Sequence, residues 1–298
     1  MMSVIPADQA AQLRLLMREG MSRAAAPAPM VTRVTARVIV VASGKGGVGK
    51  TNIAVNLAIA LAQRSKRTVL VDADLGTANA DVLLNVETAG DLSDVIAGRM
   101  RLGDVAVTLS DGLRLIPGAS GMAGVADLSP IERRGLIDEL TSLEASADFI
   151  VVDCGAGISQ NVLAFARAAH ELLIVTTPEP TALTDAYALV KVLSRASPVP
   201  SLGLVVNQAD SRREADVVAA RVAGVAARFL GVPLESRGHV LRDEQVARAV
   251  RRRTAFLRSF PTCAASGCIT ALAAGVDSPS RASGSQRGFF SRLLAFFY

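Results

Sequence analysis

The sequence has no tryptophan, two tyrosines, two histidines and three cysteines, and these shortages exclude several kinds of site. Cys154, Cys263 and Cys268 are too few and too scattered for a disulfide framework. Four residues separate Cys263 from Cys268, where metal ribbons usually have two, and an iron–sulfur carrier would need a closer pair. His170 and His239 are isolated from each other, so we interpret them as ordinary core or surface residues.

Long apolar runs are also lacking, although half of the residues are hydrophobic and the mean hydropathy is +0.37. The longest runs have the length of a strand, far short of the roughly 18 residues that a membrane-spanning helix needs. No cluster of positive charge followed by an apolar stretch marks the N-terminus, so we expect no secretory signal and a cytoplasmic protein. The net charge of +5 suits an acidic partner, whether lipid, nucleic acid or protein.

Composition and periodicity divide the chain into a central domain with a tail at each end. The predicted segments are a short helix at 1–22, an Ala/Pro-rich linker at 23–37, the central domain at 38–276, a flexible linker at 277–287 and a helix at 288–298. Within the central domain, strands that are apolar on both faces alternate with helices. This pattern predicts an α/β fold, a mainly parallel sheet with helices on both faces, which binds ligands at the carboxyl ends of its strands.

A glycine-rich loop follows the first predicted strand of the central domain. Gly44, four further residues and Gly49-Lys50-Thr51 have the spacing of a phosphate-binding P-loop, between a predicted strand and a predicted helix. In such a loop the backbone N–H groups point at the phosphates, the lysine neutralises their oxygens and the threonine hydroxyl binds Mg²⁺. The predicted nucleotide-binding residues are Gly44, Lys45, Gly46, Gly47, Val48, Gly49, Lys50, Thr51 and Asn52.

Two predicted strands end in carboxylates of the kind that Mg²⁺ requires. Four apolar residues precede Asp153, which is the Walker B pattern. A second strand ends at Asp72, with Asp74 two residues further on, and alternation along a strand places both carboxylates on one side, where both can face the phosphates. The predicted metal site consists of Thr51, Asp74 and Asp153.

Lys45, two residues after Ser43, gives the loop the form of a deviant Walker A motif, and the chain here resembles the MinD/ParA class of P-loop ATPases. The resemblance implies ATP and Mg²⁺ as cofactors, slow ATP hydrolysis activated by dimerisation, and a homodimer closed by ATP. Lys45 would reach the phosphates bound in the partner subunit, and Asp74 would orient the attacking water. The catalytic residues so implied are Lys45, Lys50 and Asp74.

Two further positions match base-binding residues of this class. Asn207 corresponds to the residue that usually hydrogen-bonds adenine, and Asp243 corresponds to a second position on the base side. Leu241 stands where the family often has proline, two residues before that aspartate.

Longer stretches resemble one branch of the class, the flagellar-number regulators called FlhG, FleN or YlxH. They spread the resemblance over about residues 38–255. The N-terminal residues 8–14 resemble the DQAxxLR element with which such regulators stimulate the GTPase of FlhF, a signal-recognition-type protein. The implied contact residues for an FlhF-like GTPase are Asp8, Gln9, Ala10, Leu13 and Arg14.

The last eleven residues contain five of the eleven aromatic side chains. Wound as a helix, this segment places its apolar residues on one side, suited to lie in the interface of an anionic membrane, and it resembles the MinD-type membrane-targeting tail. The flexible linker before it favours an exposed tail over a helix docked on the core. The predicted membrane residues are Phe289, Phe290, Leu293, Leu294 and Phe297.

These features predict a dimerising ATPase, peripherally associated with the inner face of the cell membrane, that controls flagellar number or placement through an FlhF-like GTPase or flagellar switch proteins. One alternative is an antiactivator of a flagellar transcription regulator. Another is a ParA-like partition ATPase that binds DNA, for which the arginines between 248 and 258 are a candidate surface. A tyrosine kinase of related fold is disfavoured, because it would need a tyrosine cluster.

Overall fold

The computed structural model describes residues 36–74, 79–118, 129–196, 199–278 and 288–296. The chain divides into two units, residues 1–34 and 35–298, and all described residues belong to the second. The predicted helix at 1–22 with its contact residues therefore lies outside the described residues, as do most of both linkers and Phe297. No helix within the described ranges is long and apolar enough to cross a membrane.

Within these described ranges, eight strands form one sheet in the order β3-β4-β2-β5-β1-β6-β7-β8, and only the β3–β4 pair among them is antiparallel. The strands are β1 (Arg37–Ser43), β2 (Thr68–Ala73), β3 (Val107–Thr108), β4 (Arg114–Ile116), β5 (Phe149–Ala156), β6 (Glu171–Thr176), β7 (Ser201–Ala209) and β8 (Glu235–Leu241). The predicted mainly parallel α/β sheet is thereby confirmed.

Helices cover both faces of this sheet. They are α1 (Lys50–Gln63), α2 (Ala80–Leu84), α3 (Leu92–Ile96), α4 (Leu102–Val105), α5 (Pro130–Ser146), α6 (Gln160–Ala168), α7 (Pro180–Leu193), α8 (Arg212–Leu230), α9 (Glu244–Arg251), α10 (Phe256–Ser259), α11 (Ala264–Asp277) and α12 (Phe289–Leu294). Helices α3 to α8 and α12 pack on one face, whereas α1, α2 and α9 to α11 pack on the other.

The central strand β1 shows why both faces must be covered. Val38, Val40 and Ala42 belong to one core cluster, and Ile39 and Val41 belong to the other; none of them is exposed. Because these five side chains are all apolar, neither face of the strand is stable in water.

Helix α12 packs in the angle between α5 and α6, where Phe289, Phe290 and Leu293 are at most 2% exposed. The carboxylate of Glu144 accepts the backbone N–H of Phe290 at 2.8 Å, so a buried acid caps the first turn of the helix. Arg292 donates to the carbonyl oxygen of Ala168 at 2.6 Å.

The C-terminal segment is thus docked on the core here, whereas the sequence analysis favoured an exposed tail. Phe289, Phe290 and Leu293, which would enter a membrane in an exposed tail, pack instead against the apolar groove between α5 and α6.

Candidate nucleotide-binding and catalytic site

The glycine-rich loop leaves the carboxyl end of β1 and enters α1 at Lys50. Gly49, the N-cap of α1, has a φ of 87°, in the left-handed region that favours glycine. A Cβ atom on Gly44 would lie 2.1 Å from the carbonyl oxygen of Asp185 in α7, and one on Gly49 would lie 2.3 Å from Nδ2 of Asn207. Both positions exclude any side chain, so glycine is required where the loop packs against its neighbours.

Lys50 lies at the centre of the site, with its side chain only 8% exposed. Its Nζ is 3.8 Å from Oδ2 of Asp74 and 3.7 Å from Oδ1 of Asp153. Strands β1 and β2 flank β5 in parallel register, which brings the carboxyl ends of all three strands together. The structure therefore places three of the predicted catalytic and metal-binding residues within a few ångströms of one another.

The surroundings of Asp153 suit a carboxylate that binds a cation. It is 1% exposed, and neither of its oxygens accepts a hydrogen bond from the residues that the structure describes. Burial raises the pKa of Asp153 to about 7, against the opposing effects of the Lys50 charge and the Thr51 side chain. Oxygen ligands beside a threonine hydroxyl suit Mg²⁺, so the residues present fit the predicted ion.

Asp72 does not face the phosphates, and the prediction that it can do so alongside Asp74 was wrong. Its carboxylate accepts the backbone N–H groups of Asp74 at 3.1 Å and of Asn79 and Ala80 at 3.0 Å. Asp72 is buried, and burial raises its pKa. The side chain therefore anchors both ends of the segment that carries Asp74 beside the cleft.

A cleft of about 570 Å³ opens in front of the loop. Besides loop residues and Asp74, its walls include residues that the sequence analysis missed. Helices α2 and α9 lie within residues 38–255, over which the family resemblance extends, and in α9 only arginines had been named, as a candidate DNA surface. The additional lining residues are Asn79, Val82, Leu83, Ala156 and Val250.

Lys45 projects from the rim of the cleft, and its side chain is 40% exposed. Its Nζ lies 3.2 Å from Oε2 of Glu179 and 2.9 Å from Oγ1 of Thr181, at the start of α7. Neither partner was predicted, although the sequence Pro178-Glu179-Pro180 places an acid directly after β6, the neighbour of β1. The contacts of Lys45 thus differ from those of the buried Lys50.

The two predicted base-side residues occupy different surroundings. Nδ2 of Asn207 donates to the carbonyl oxygen of Val48 at 2.7 Å, so this side chain of β7 holds the phosphate loop by a hydrogen bond. The carboxylate of Asp243 caps α9 by accepting the N–H of Gln245 at 2.9 Å, and it also accepts the N–H of Ala265 at 3.3 Å. Neither residue lines the cleft, and their adenine contacts stay predictions.

Comparison with known proteins agrees with this geometry. The AAA domain family model matches residues 36–198. The chain is 43% identical over 261 residues to the antiactivator FleN of Pseudomonas aeruginosa, covering 87% of this chain and 93% of FleN. It is 33% identical to the flagellum site-determining protein YlxH of Helicobacter pylori, covering 87% and 90% of the two chains.

A solved structure shares the fold. The septum site-determining protein MinD of Pyrococcus horikoshii, complexed with Mg-ADP, superposes with a TM-score of 0.67 at 26% identity, over 82% of this chain and 96% of that one. MinD/ParA ATPases bind ATP or ADP together with Mg²⁺, as in this Mg-ADP complex. By its sequence, its fold and the residues of its cleft, the chain belongs to the MinD/ParA family of P-loop ATPases.

Proposed function

We propose that this chain is an ATP-hydrolysing regulator of flagellar assembly that alternates between a monomer and an ATP-closed homodimer. The observation that carries the proposal is the contrast between its two loop lysines. Lys50 is buried against Asp74 and Asp153 within one subunit, whereas Lys45 stands at the exposed rim. A cation at the rim is suited to meet the phosphates of a nucleotide bound by a second copy of the chain.

Within one subunit, the residues supply positioning and electrostatic stabilisation. The loop N–H groups and Lys50 would hold the phosphates, and Thr51 and Asp153 would hold Mg²⁺, whose charge would offset that of the phosphate oxygens. Asp74 lines the cleft with its side chain 20% exposed, so it is placed to orient a water molecule for attack on the terminal phosphate. Completion of the site by Lys45 of a second subunit makes hydrolysis depend on dimerisation.

The C-terminal segment connects this cycle to the membrane. In the docked state Phe289, Phe290 and Leu293 are covered by α5 and α6, which keeps these three side chains from lipid. Release of α12 would expose Phe289, Phe290 and Leu293, with Leu294 and Phe297 completing the apolar side. One such helix binds lipid weakly, whereas a dimer presents two helices to the same membrane. Dimerisation on ATP binding would therefore control membrane association through avidity.

The flagellar role rests on the relatives. A protein 43% identical is an antiactivator, and another that is 33% identical determines the flagellar site. Regulation through an FlhF-like GTPase or switch proteins is our first proposal, and we expect the peptide 1–22 to stimulate a cognate FlhF. The match to FleN favours a second candidate, an antiactivator that binds a flagellar transcription regulator.

Flotation with anionic vesicles tests the membrane cycle. We expect the chain to float with ATP and Mg²⁺, to remain in solution with ADP, and to lose flotation when residues 288–298 are deleted. Equal flotation with ATP and ADP would contradict the switch, and undiminished flotation of the shortened chain would contradict the role of the tail.

A further inference from the structure

The outer face of α8 exposes large apolar side chains beside arginines. Phe229 is 65% exposed and Val225 is 37% exposed, and the guanidinium of Arg228 lies 5.3 Å from the centre of the Phe229 ring. The opposite side of α8 is fixed on the sheet by Ala215, Val218, Ala219, Val222 and Ala226, all of which are buried. Helical spacing therefore holds Arg221, Val225, Arg228 and Phe229 together, directed away from the core.

The cations on this face are not neutralised within the described part of the chain. Arg221 and Arg228 form no ion pair there, nor do Lys191 and Arg195, which are exposed at the end of the adjacent helix α7. The acids of α8 lie in its first turns, where Glu214 accepts the N–H of Asp210 and Asp216 pairs with Arg212. The second half of α8 and the end of α7 thus form one positive surface.

This surface lies at the same end of the molecule as α12. Helices α5 to α8 each join two parallel strands, so all four run back along the sheet and end at the amino-terminal edge of its strands. Glu144 and Ala168, which hold α12, are near the ends of α5 and α6. The docked tail and the positive surface therefore share one helical layer and one edge, opposite the phosphate loop.

We propose that the outer face of α7 and α8, formed by Lys191, Arg195, Arg221, Val225, Arg228 and Phe229, is a second membrane-contact surface that rests on anionic phospholipid headgroups. The inference rests on the proposed membrane association and deepens it. The arginines and the lysine contact lipid phosphates, while Val225 and Phe229 enter the headgroup layer. A lipid surface fits better than an acidic protein, because the cations are spread over two helices at the same edge of the sheet as the docked tail, and a bilayer requires no complementary shape.

Vesicle binding by the double variant Arg221→Gln/Arg228→Gln tests the inference in the full-length chain with ATP and Mg²⁺. Each cation near an anionic surface contributes about fivefold to the partition coefficient, so loss of both should weaken binding to phosphatidylglycerol-containing vesicles by about thirtyfold. Phe229→Ser should weaken it further. The matched control is Arg248→Gln/Arg251→Gln, which removes two arginines from exposed positions on α9, on the other face of the sheet, and should change binding little. Thermal unfolding confirms that each variant is folded.

The outcomes separate this inference from the role of the tail. If Arg221→Gln/Arg228→Gln binds anionic vesicles as well as the unchanged chain, the α8 surface does not contact lipid and the inference is overturned. The same holds if this variant loses only a flagellar protein partner, which would assign the surface to an acidic protein. If deletion of 288–298 has no effect while the double variant is defective, the tail role fails and the α8 surface stands. If the unchanged chain never binds vesicles, both fail.

Discussion

Asp74 and Asp153 lie on either side of Lys50, yet their surroundings differ enough to give them different roles. Asp153 is buried, with Oδ1 at 3.7 Å from Nζ of Lys50, whereas Asp74 is partly exposed and lines the cleft. Asp72 pairs with Asp153 in the register of β2 and β5 and precedes Asp74 by two residues, but its carboxylate accepts backbone N–H groups instead.

Replacement of Asp74 should separate hydrolysis from binding. Asp74→Asn keeps the size of the side chain but removes the charge that orients water, so we expect phosphate release to fall by about a hundredfold or more. ATP-induced dimers should persist and live longer, because the cycle stops before hydrolysis. Steady-state phosphate release and a sizing column measure the two effects. A variant that hydrolyses ATP at the original rate would show that another residue orients the water.

His170 gives the fold a specific response to acid. Its Nδ1 accepts the backbone N–H of Val38 at 3.0 Å, and burial, with the nearby charges of Arg292 and Arg37, lowers its pKa to about 4. Because the ordinary pKa is about 6.5, the unfolded chain binds the proton more readily, and stability should fall as the pH drops from about 6.5 towards 4.

His170→Asn, which retains an acceptor atom, should flatten this part of the pH dependence. Chemical denaturation at several pH values measures it, with His239→Asn as the matched control because it removes the other histidine. An unchanged slope in His170→Asn would assign the acid sensitivity to other groups.

At the scale of elements, docking of α12 depends on its cap. Glu144→Ala removes the acceptor for the N–H of Phe290, a loss of about 1 kcal/mol that should shift docking towards release by roughly fivefold. Faster tryptic cleavage at Arg292, and increased vesicle binding with ADP, would report the release. Glu144→Gln keeps an acceptor oxygen and should stay close to the original chain. Equal cleavage rates in all three proteins would show that the cap does not control docking.

The sequence predicted those helices and strands whose apolar residues form a recognisable pattern, and it missed the helices without such a pattern. The alternation of apolar strands with helices predicted the parallel sheet, because runs such as Val38–Ala42 are buried on both faces. The helices α2, α3, α4 and α10 are too short to show a period. The helix α11 is rich in alanine and glycine, so its inner and outer faces look alike in the sequence.

In the candidate site, too, some residues could be predicted from the sequence and others could not. Spacing along the chain predicted Lys50, Asp74 and Asp153, because strand ends converge in a parallel sheet. Contacts between distant segments could not be predicted in this way, and Glu179 at Lys45 is an example. The location of the C-terminal helix could not be predicted for a physical reason, since one apolar helix face suits both a membrane and a groove on the core.

For the whole molecule, the described structure places the phosphate loop at one edge of the sheet and the docked tail at the other. In the described structure, the side chain of Lys45 contacts Glu179 and Thr181, and neither contact reaches α12. Coupling between the two edges of the sheet therefore requires a change of assembly or of helix packing. The proposed homodimer closed over ATP would supply such a change, because it would alter the surroundings of both Lys45 and α7, which contacts Lys45.

The molar mass of the chain with a non-hydrolysable ATP analogue and Mg²⁺, measured by light scattering on a sizing column, tests this account most directly. The unchanged chain should reach twice its 31.0 kDa with the analogue and remain at 31.0 kDa with ADP. Lys45→Ala should bind the analogue with similar affinity, because Lys50 and the loop are intact, yet remain monomeric. A Lys45→Ala chain that still dimerises, or an unchanged chain whose mass does not depend on the nucleotide, would contradict the account.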